Sequence, residues 1–429
     1  MIKIYDGKDI PKEDLSKKEA AFADIVATVS EIIETVKSCK DQALLAYSEK
    51  FDHVRLSRLE VSAEEIEKAY QKTDKRLIEV MEEAARNIYA FHKNQVRTGF
   101  SVAPRDGVVL GQKIIPFQKV GLYVPGGTAS YPSSVLMNCI PAKLAGVEEI
   151  IMVTPPSFSG GVNPVILAAA KIAGVGRVFR IGGAQAIAAL AFGTETVPRV
   201  DKIVGPGNAF VAEAKKQVFG RVSIDMIAGP SDILVIADES CDARVVAADL
   251  LSQAEHDKNA SAVLVTNSRK LAEAVATELE TQIAALPREE IARASIEGNG
   301  KIIIAQSIEE AVDIANEIAP EHLEVCVDRP FDYLHRIQNA GSIFLGKNCP
   351  EVLGDYFAGP NHVLPTGGTA RFSSPLSVDD FIKKSSFTYY SAEALEKISD
   401  KVACFAESEG LSAHARSVLV RGKGKNCNE

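Results

Sequence analysis

The chain has 429 residues, enough for about three domains of roughly 150 residues each, so it is not a single small module. Hydrophobic residues make up 46% and charged residues 24%, which is typical of a globular protein with more than one core and excludes global disorder. The 48 basic and 57 acidic residues give a net charge of −9, the wrong sign for a protein whose main function is to bind nucleic acid.

Two further features narrow the class of protein. The N-terminus lacks an apolar run of signal-peptide length, and the most apolar stretch, residues 186–192, is too short to span a bilayer. We therefore expect a cytoplasmic protein with no membrane partner. The seven cysteines are scattered and form no CxxC pair, so any bound metal would be held by nitrogen and oxygen atoms.

The first predicted elements are helices. Residues 20–97 carry apolar side chains at helical spacing, most clearly between Leu77 and Phe91, and predict packed amphipathic helices. Residues 96–118 change to short β-prone pieces broken by Gly and Pro, which indicate a connection or a small hairpin. A new unit is predicted to begin near Val120.

Short apolar runs then alternate with Ala-rich helical stretches in two series of five. The first series of predicted strands comprises residues 120–124, 150–153, 178–181, 202–204 and 222–226. The second comprises residues 233–237, 262–265, 302–304, 323–327 and 343–345. Nearly continuous apolar strands separated by helices indicate parallel sheets covered on both faces, so the sequence predicts an α/β protein with two doubly wound, Rossmann-like domains.

The tail from about residue 375 has a different character. A helix is predicted near residues 392–409, followed by a stop at Gly410, a short helix through His414, and nine disordered residues at the end. This tail is too small to build a core of its own, so we expect it to pack on the main body or on another subunit.

Four of the five strand ends in the first series are followed by Gly- or Pro-rich loops. The loops are residues 124–127 (VPGG), 181–185 (IGGAQ), 205–208 (GPGN) and 228–231 (AGPS). Glycine lets the backbone approach a ligand closely, and the helix that follows GGAQ offers free amides to an anion. The four loops together predict a site for a nucleotide or another small molecule. The chain has no GxGxxG fingerprint, so a dinucleotide site would be atypical.

Two strings contain polar pairs at suggestive spacing. Gln253 and His256 are three residues apart on a predicted helix, which places both on one face, within reach of a single ion. Glu321 and His322 stand just before an apolar strand, where charged groups are uncommon unless they are satisfied or used. This position is the amino end of the strand, opposite the usual ligand edge, so either the boundary is misplaced or the site spans two domains.

Two further strings are weaker. Asp355 and His362 lie in a Gly- and Pro-rich loop, residues 353–368, which could meet a ligand or form a rigid structural corner. His414 follows Glu409 in the polar tail, and taken singly it reads as an ordinary surface histidine.

Seven strings occur together in the order found in one enzyme family: VGLYVPGG, GGAQAIAALAFGT, GPGNAFV, IDMIAGPSD, LLSQAEHD, APEHLEV and GPNHVLPT. On these strings the sequence resembles the histidinol dehydrogenase family over residues 20–420. The resemblance implies two Rossmann-like domains with small helical N- and C-terminal segments, a homodimer with shared active sites, one zinc ion per subunit and NAD as the acceptor. The implied reaction is the oxidation of L-histidinol through its aldehyde to L-histidine.

The resemblance also assigns residues, motif by motif. It places the metal ligands at Gln253, His256, Asp355 and His414. It places the acid/base pair at Glu321 and His322, and the NAD contacts at Tyr123, Gln185 and Asn208. Its substrate contacts are Ser231, Gln253, His256, His322, Asp355, Glu409 and His414, with His362 nearby. Beside Ser231, Ile227 and Asp232 replace a common proline and a common glutamate, which affects the expected substrate geometry.

The expected domains follow from the same match. They are an N-terminal segment (1–20), a Rossmann-like domain with the substrate and metal residues (21–119 with 232–376), a Rossmann-like NAD-binding domain (120–231) and a helical tail (377–429).

The expected chemistry is a four-electron oxidation, which needs two NAD molecules and one water. In that reaction His322 removes the alcohol proton and Glu321 activates the water. A zinc ion with these ligands keeps positions open, and we expect it mainly to orient the substrate.

Three alternatives remain open. A related NAD-dependent dehydrogenase for another small alcohol, such as a sulfonated diol, would use the same groups. A zinc hydrolase would use Glu321 to activate metal-bound water and would not reduce NAD. A non-catalytic two-lobed binding protein would have no need of the pair Glu321 and His322.

Overall fold

The computed structural model describes residues 2–7, 23–126, 131–227 and 229–422. Most of the predicted disordered end, and parts of the loops at 124–127 and 228–231, lie outside the described residues. The chain divides into two compact units. Unit 1 comprises Met1–Gln95 and Phe117–Phe381, and unit 2 comprises Val96–Pro116 and Ile382–Glu429.

The strands in chain order are β1 (Lys3–Asp6), β2 (Phe100–Arg105), β3 (Val108–Pro116), β4 (Lys119–Tyr123), β5 (Glu149–Thr154), β6 (Arg177–Arg180), β7 (Lys202–Val204), β8 (Ser223–Ile224), β9 (Asp232–Ala237), β10 (Ser261–Thr266), β11 (Lys301–Ile304), β12 (His322–Cys326), β13 (Ser342–Leu345) and β14 (Ile382–Tyr390).

The helices are α1 (Ala23–Phe51, kinked at Lys40), α2 (Ala63–Lys72), α3 (Lys75–His92), α4 (Pro132–Ala145), α5 (Pro164–Ala173), α6 (Gly183–Phe192), α7 (Ala209–Val218), α8 (Ala243–Ala254), α9 (Arg269–Ile283), α10 (Glu289–Gly298), α11 (Ile308–Ile318), α12 (Phe331–Leu334), α13 (Val352–Tyr356), α14 (Ala392–Glu396), α15 (Ser399–Ser408) and α16 (Ser412–Gly422).

Unit 1 contains two parallel sheets, as the two series of apolar runs predict. One has five strands in the order β6-β5-β4-β7-β8, and the other has six in the order β1-β11-β10-β9-β12-β13. All ten predicted strands are present, and the doubly wound α/β fold is confirmed. In the larger sheet, helices α8, α9 and α10 bury one face and α11 the other, so its central strands are apolar on both sides.

The N-terminal segment differs from the helical one that was expected. Its residues Lys3–Asp6 form an edge strand that pairs in parallel with β11, from Lys3 opposite Lys301 to Asp6 opposite Ile304. A run of four residues is too short to show a strand period in the sequence, and pairing with a formed sheet decides its conformation.

Helices α1 to α3 pack on the helices of the five-stranded sheet. Helix α1 contacts α6 and α7, α2 contacts α5, and α3 contacts α4. The start of α2 is fixed by a capping box between Ser62 and Glu65, and Asp74 caps α3. That residues 21–119 and 232–376 belong to one domain stays a prediction.

Unit 2 contains an antiparallel sheet in the order β14-β3-β2. The hairpin expected in residues 96–118 is present, but the tail is not purely helical, because residues 382–390 pair along the whole of β3. These residues are rich in Ser, Thr, Phe and Tyr, which suit a paired strand. The single helix expected at 392–409 is divided into α14 and α15.

Two smaller expectations concern membranes and thiols. Within the described residues, no helix combines the length and apolar composition that a membrane span requires. The six described cysteines are free thiols, and burial raises the pKa of Cys139 to about 12. Cys427 lies outside the described residues.

Candidate active site

The acid/base pair lies at the amino edge of the six-stranded sheet. Strand β12 begins at His322, opposite Ile233 of the neighbouring strand β9, and Glu321 directly precedes it. The predicted boundary was therefore right. Glu321 and His322 are buried, with 6% and 3% of their surfaces exposed, so their polar groups need partners.

Asp232, the first residue of β9, supplies those partners. Its carboxylate Oδ1 accepts a hydrogen bond from the Glu321 backbone amide at 2.6 Å, and its own backbone amide donates one to Glu321 Oε2 at 3.0 Å. Its carbonyl lies 3.1 Å from His322 Nδ1, and its Oδ2 accepts the Gly367 amide at 3.2 Å. One residue therefore orients both members of the pair. Asp232 stands here although a glutamate was the residue expected, and its side chain binds the Glu321 amide while its backbone holds His322 and the Glu321 carboxylate.

The His322 ring has a defined direction. Nδ1 donates a hydrogen bond to the Asp232 carbonyl, so Nδ1 carries the hydrogen. Nε2 faces the other way and lies 3.6 Å from Asp355 Oδ1. Burial lowers the pKa of His322, but the carboxylates of Glu321 and Asp355 outweigh burial and raise it overall. Burial raises the pKa of Glu321. Both side chains therefore favour their protonated forms more than they would in water.

A second carboxylate, which the sequence analysis missed, lies beside His322. Glu351 is the N-cap of helix α13, and Asp355 lies four residues further on, within that helix. The ligand atoms of His322, Glu351 and Asp355 all lie within 4.8 Å of one another, so these three residues could hold a metal ion. Burial raises the pKa of Glu351. Burial opposes ionisation of Asp355 as well, but the contact with His322 and the nearby imidazoles lower its pKa overall.

Glu351 is held from behind by two groups. Ser252 on helix α8 donates its hydroxyl to Glu351 Oε1, and Glu324 on β12 accepts the Glu351 amide at 2.7 Å. Its remaining oxygen, Oε2, is buried and has no hydrogen-bond partner among the described residues. That oxygen is therefore available to a ligand.

Gln253 and His256 adjoin the same cluster. Helix α8 ends at Ala254, so His256 lies in the turn beyond it and not on the predicted helical face. The His256 amide donates to the Gln253 carbonyl at 3.1 Å, which still keeps the two residues adjacent. His256 retains an exposed face, and partial desolvation lowers the pKa of its imidazole while the charge of Asp355 raises it.

The amide of Gln253 is the clearest sign of a missing ligand. Only 1% of the residue is exposed, yet neither Oε1 nor Nε2 makes a well-formed hydrogen bond among the described residues, although the amide lies close enough to Glu351 to help lower the pKa of that carboxyl. His322 Nε2 is also buried and unpartnered. Because an orphaned buried polar group costs about 1–3 kcal/mol, several in one place indicate a ligand site.

His362 connects this cluster to the other sheet. Its Nδ1 donates to the Asp355 carbonyl at 2.9 Å, and its Nε2 lies 3.3 Å from the hydroxyl of Ser134, in the first turn of α4. Burial lowers the pKa of His362, so its ring stays neutral. The loop at 353–368 is therefore part of the site, and helix α4 at the carboxyl edge of the five-stranded sheet meets it there.

The three residues matched to NAD contacts lie at that carboxyl edge. Tyr123 ends β4, Gln185 is buried in the first turn of α6, and Asn208 caps α7 by accepting two amides. The Tyr123 hydroxyl accepts the Gly183 amide at 3.1 Å, at the start of α6. Residues of three of the four predicted loops therefore lie at one edge.

A buried ion pair fixes the loop before Asn208. Lys215 and Asp225 contact each other, and both bind Gly205: Lys215 Nζ donates to its carbonyl at 3.0 Å, and its amide donates to Asp225 Oδ2 at 2.8 Å. Gly205 has a φ of 113°, and a side chain there would collide with the Tyr123 carbonyl at 2.1 Å. Glycine is therefore required at this position.

Three residues that the family match assigns to the substrate, Ser231, Glu409 and His414, have no hydrogen bond or ion pair with the buried cluster in the described residues. Ser231 is half-buried directly before β9, and its carbonyl accepts the Ser261 amide. Glu409 and His414 lie in unit 2, where both line a groove of about 470 Å³ together with the apolar Val402 and Phe405. Ile227 is half exposed, and Ala228 lies outside the described residues.

Known proteins resemble this chain along its whole length. A family model described as histidinol dehydrogenase matches residues 15–422. The chain is 56% identical over 401 residues to a histidinol dehydrogenase of Clostridium acetobutylicum, covering 94% of this chain and 93% of the other. It is 57% identical over 408 residues to one of Streptococcus mutans, covering 95% and 94%. Its fold is similar to the crystal structure of histidinol dehydrogenase from Elizabethkingia anophelis, with a TM-score of 0.91, 39% identity and 98% of both chains covered.

Proposed function

The chain belongs to the histidinol dehydrogenase family, a family of oxidoreductases of histidine biosynthesis, and on this basis we propose that it oxidises L-histidinol through L-histidinaldehyde to L-histidine with bound zinc and with NAD as acceptor. The observation that carries the proposal is the group of unpartnered buried atoms on Gln253 and His322 beside Asp355. A cytoplasmic location belongs to the same proposal.

The donor set of this cluster fits a zinc ion. Gln253 offers an unpartnered amide oxygen, His256 an imidazole and Asp355 a carboxylate whose pKa is lowered, so all three can bind a cation at neutral pH. The fourth expected ligand, His414, belongs to unit 2. When bound, the zinc ion would orient the substrate and NAD would accept hydride.

The proton chemistry falls to the chain's own residues. In its neutral form His322 presents Nε2 to the ligand side and would accept the proton of the alcohol while the Asp232 carbonyl holds its ring. A cation bound in the cluster would favour that form, because it would oppose the charge of the imidazolium. Glu321, in its ionised form, would take a proton from the water that adds to the aldehyde, and its raised pKa makes that carboxylate a stronger base. Neither residue needs to move far, since Asp232 already fixes both.

A direct assay of NAD reduction tests the whole proposal. With zinc-loaded protein and L-histidinol as the only substrate, we expect two molecules of reduced NAD, followed by absorbance, for each histidinol consumed. A dehydrogenase for another small alcohol would reduce NAD only with that alcohol. A zinc hydrolase would reduce no NAD with any alcohol. Either result would refute the proposal.

Removal of one proposed ligand tests the metal. His256→Ala should lose bound zinc and activity while its circular dichroism spectrum stays native, since one of four protein ligands is gone. The matched control is His335→Ala, because His335 is exposed and has no contact with the cluster. Metal analysis that finds full zinc occupancy in His256→Ala would contradict the assignment.

The two acid/base roles can be separated by using both substrates. Glu321→Gln should slow oxidation of supplied L-histidinaldehyde by about 10²–10⁴-fold and oxidation of L-histidinol to the aldehyde far less, because only the second step needs water. His322→Ala should slow both steps. Equal losses on the two substrates in Glu321→Gln would count against its role with water.

We further propose that each active site is shared between the subunits of a homodimer. Unit 2 carries Glu409 and His414 on one groove, and its helices leave Phe405 71% and Val420 58% exposed. Exposed apolar surface of this kind is typical of an interface. In the shared-site arrangement, these two polar residues would complete the site of the partner subunit.

Mixed dimers test this arrangement. When His322→Ala and His414→Ala chains are coexpressed in equal amounts, half of the dimers are mixed, and in each one site collects both defects while the other collects none. Recovered activity should approach about a quarter of that of wild type, because one half of the dimers regain one half of their sites. If mixed dimers form but stay as inactive as both parents, His414 acts within its own chain.

A further inference from the structure

The five-stranded sheet lacks one part of an ordinary dinucleotide site. Its order places β4 at the position of the first strand of a Rossmann sheet and β5 next to it. In such sheets an acidic residue beyond the second strand binds the hydroxyls of the adenosine ribose. Here β5 is followed by Pro155, Pro156 and Ser157, and residues 155–164 contain no Asp or Glu. A bound NAD would therefore need a carboxylate from elsewhere.

The end of helix α1 brings a carboxylate to this place. Helix α1 ends at Phe51, and the amide of Asp52 donates to the Ser48 carbonyl at 3.0 Å. Two residues on, Val54 lies against the loop that follows β5, where a side chain at Gly160 would meet it at 3.3 Å. Asp52 therefore lies beside the loop that lacks the acid.

The packing of helix α1 and an electrostatic effect place Asp52 near Tyr123, one of the proposed NAD residues. Helix α1 packs along α6, and at one end the Asp41 amide donates to Glu195, just beyond α6, at 3.0 Å. At the other end, the charge of Asp52 acts on Tyr123, whose pKa is raised to about 12, mainly by burial. The Tyr123 hydroxyl uses a lone pair to accept the Gly183 amide, so its hydrogen can be donated to another group.

The polar groups at this point are unsatisfied. Asp52 Oδ2 and Ser48 Oγ are both buried without a hydrogen-bond partner among the described residues, and Ser48 is completely buried. Burial raises the pKa of Asp52 to about 6, and His53 lowers it only in part. The structure therefore retains a carboxylate that is costly to bury, which suggests a ligand and not a packing role.

The arginines nearby already have partners. Arg55 pairs with Glu49 at 3.4 Å, and Arg58 pairs with Glu65. Arg180, which donates to the Gly160 carbonyl of the loop, pairs with Glu65 at 3.0 Å and leaves only its Nε without a partner among the described residues. Accommodating the 2′-phosphate of NADP usually requires an arginine in this position. The end of helix α1 instead offers the Asp52 carboxylate, which would repel a phosphate.

We propose that Asp52 accepts a hydrogen bond from the 2′-hydroxyl of the adenosine ribose of NAD and selects NAD over NADP. The same 2′-hydroxyl would accept a hydrogen bond from the Tyr123 hydroxyl. It would therefore lie between a donor, Tyr123, and an acceptor, Asp52. This inference rests on the proposed use of NAD. It adds to that proposal a residue outside the three NAD contacts matched by motif.

The test compares three cofactors in zinc-loaded enzyme at saturating L-histidinol. For wild type, kcat/KM should be about 10- to 100-fold lower with 2′-deoxy-NAD than with NAD, the value of a hydrogen bond to a charged group. In Asp52→Asn the two cofactors should become nearly equal, and the preference for NAD over NADP should fall at least about tenfold by the same reasoning. The KM for L-histidinol should not change.

The control is Glu31→Gln, an exposed carboxylate on the same helix, which should leave all three cofactors unaffected. The thermal unfolding midpoint separates a binding role from a structural one. Because burial disfavours the charge of Asp52, Asp52→Asn should melt at or above the temperature of wild type while using NAD poorly.

Different outcomes defeat different claims. If wild type reduces NAD but Asp52→Asn treats NAD, 2′-deoxy-NAD and NADP as wild type does, or loses activity equally with all three, the assignment of Asp52 is wrong and the proposed function stands. If wild type reduces no NAD with histidinol, the proposed function itself fails.

Discussion

The site depends on the reciprocal bonding between the first residues of two adjacent parallel strands. Asp232 accepts the Glu321 amide and donates its own amide to the Glu321 carboxylate. Amides at the amino edge of a parallel sheet would otherwise need water or a loop to satisfy them. Here the two side chains satisfy them, so Glu321 and His322 can remain buried with fixed orientations. Their positions at the edge then determine where Asp355 and the loop carrying His362 must lie.

The same arrangement concentrates negative charge in a buried place. Glu321 and Glu351 have pKa values raised by burial, and behind them burial, with help from Asp249, raises the pKa of Glu324 to about 8. Carboxyl groups with raised pKa values ionise more readily when a cation binds among them, so metal binding and proton release would be linked. The unpartnered Oε2 of Glu351 gives the cluster one more oxygen than the motif match assigns.

The sequence predicts much of this from local pattern. Ten apolar runs specify the two parallel sheets, and the spacing of Gln253 and His256 predicts that they adjoin, although α8 ends between them. Strand β1 and strand β14 escape prediction because pairing with a remote strand, and not local preference, creates them. Glu351 escapes for the same reason: its partners Ser252 and Glu324 are 99 and 27 residues away, so its role exists only in the folded chain.

The use of opposite edges in the two sheets follows from helix electrostatics. In a parallel sheet the helices run back against the strands, so their N-termini gather at the carboxyl edge and their C-termini at the amino edge. The carboxyl edge of the five-stranded sheet therefore presents the positive ends of α6 and α7, beside Gln185 and Asn208, and suits an anionic dinucleotide.

The amino edge of the six-stranded sheet receives the negative C-terminal end of α8, which carries Gln253 and is followed, two residues on, by His256. That end suits a metal ion and a cationic substrate. The contact between Ser134 and His362 joins the two edges. A ligand of each charge can therefore bind at the edge that stabilises it, with the reacting groups meeting where the edges meet.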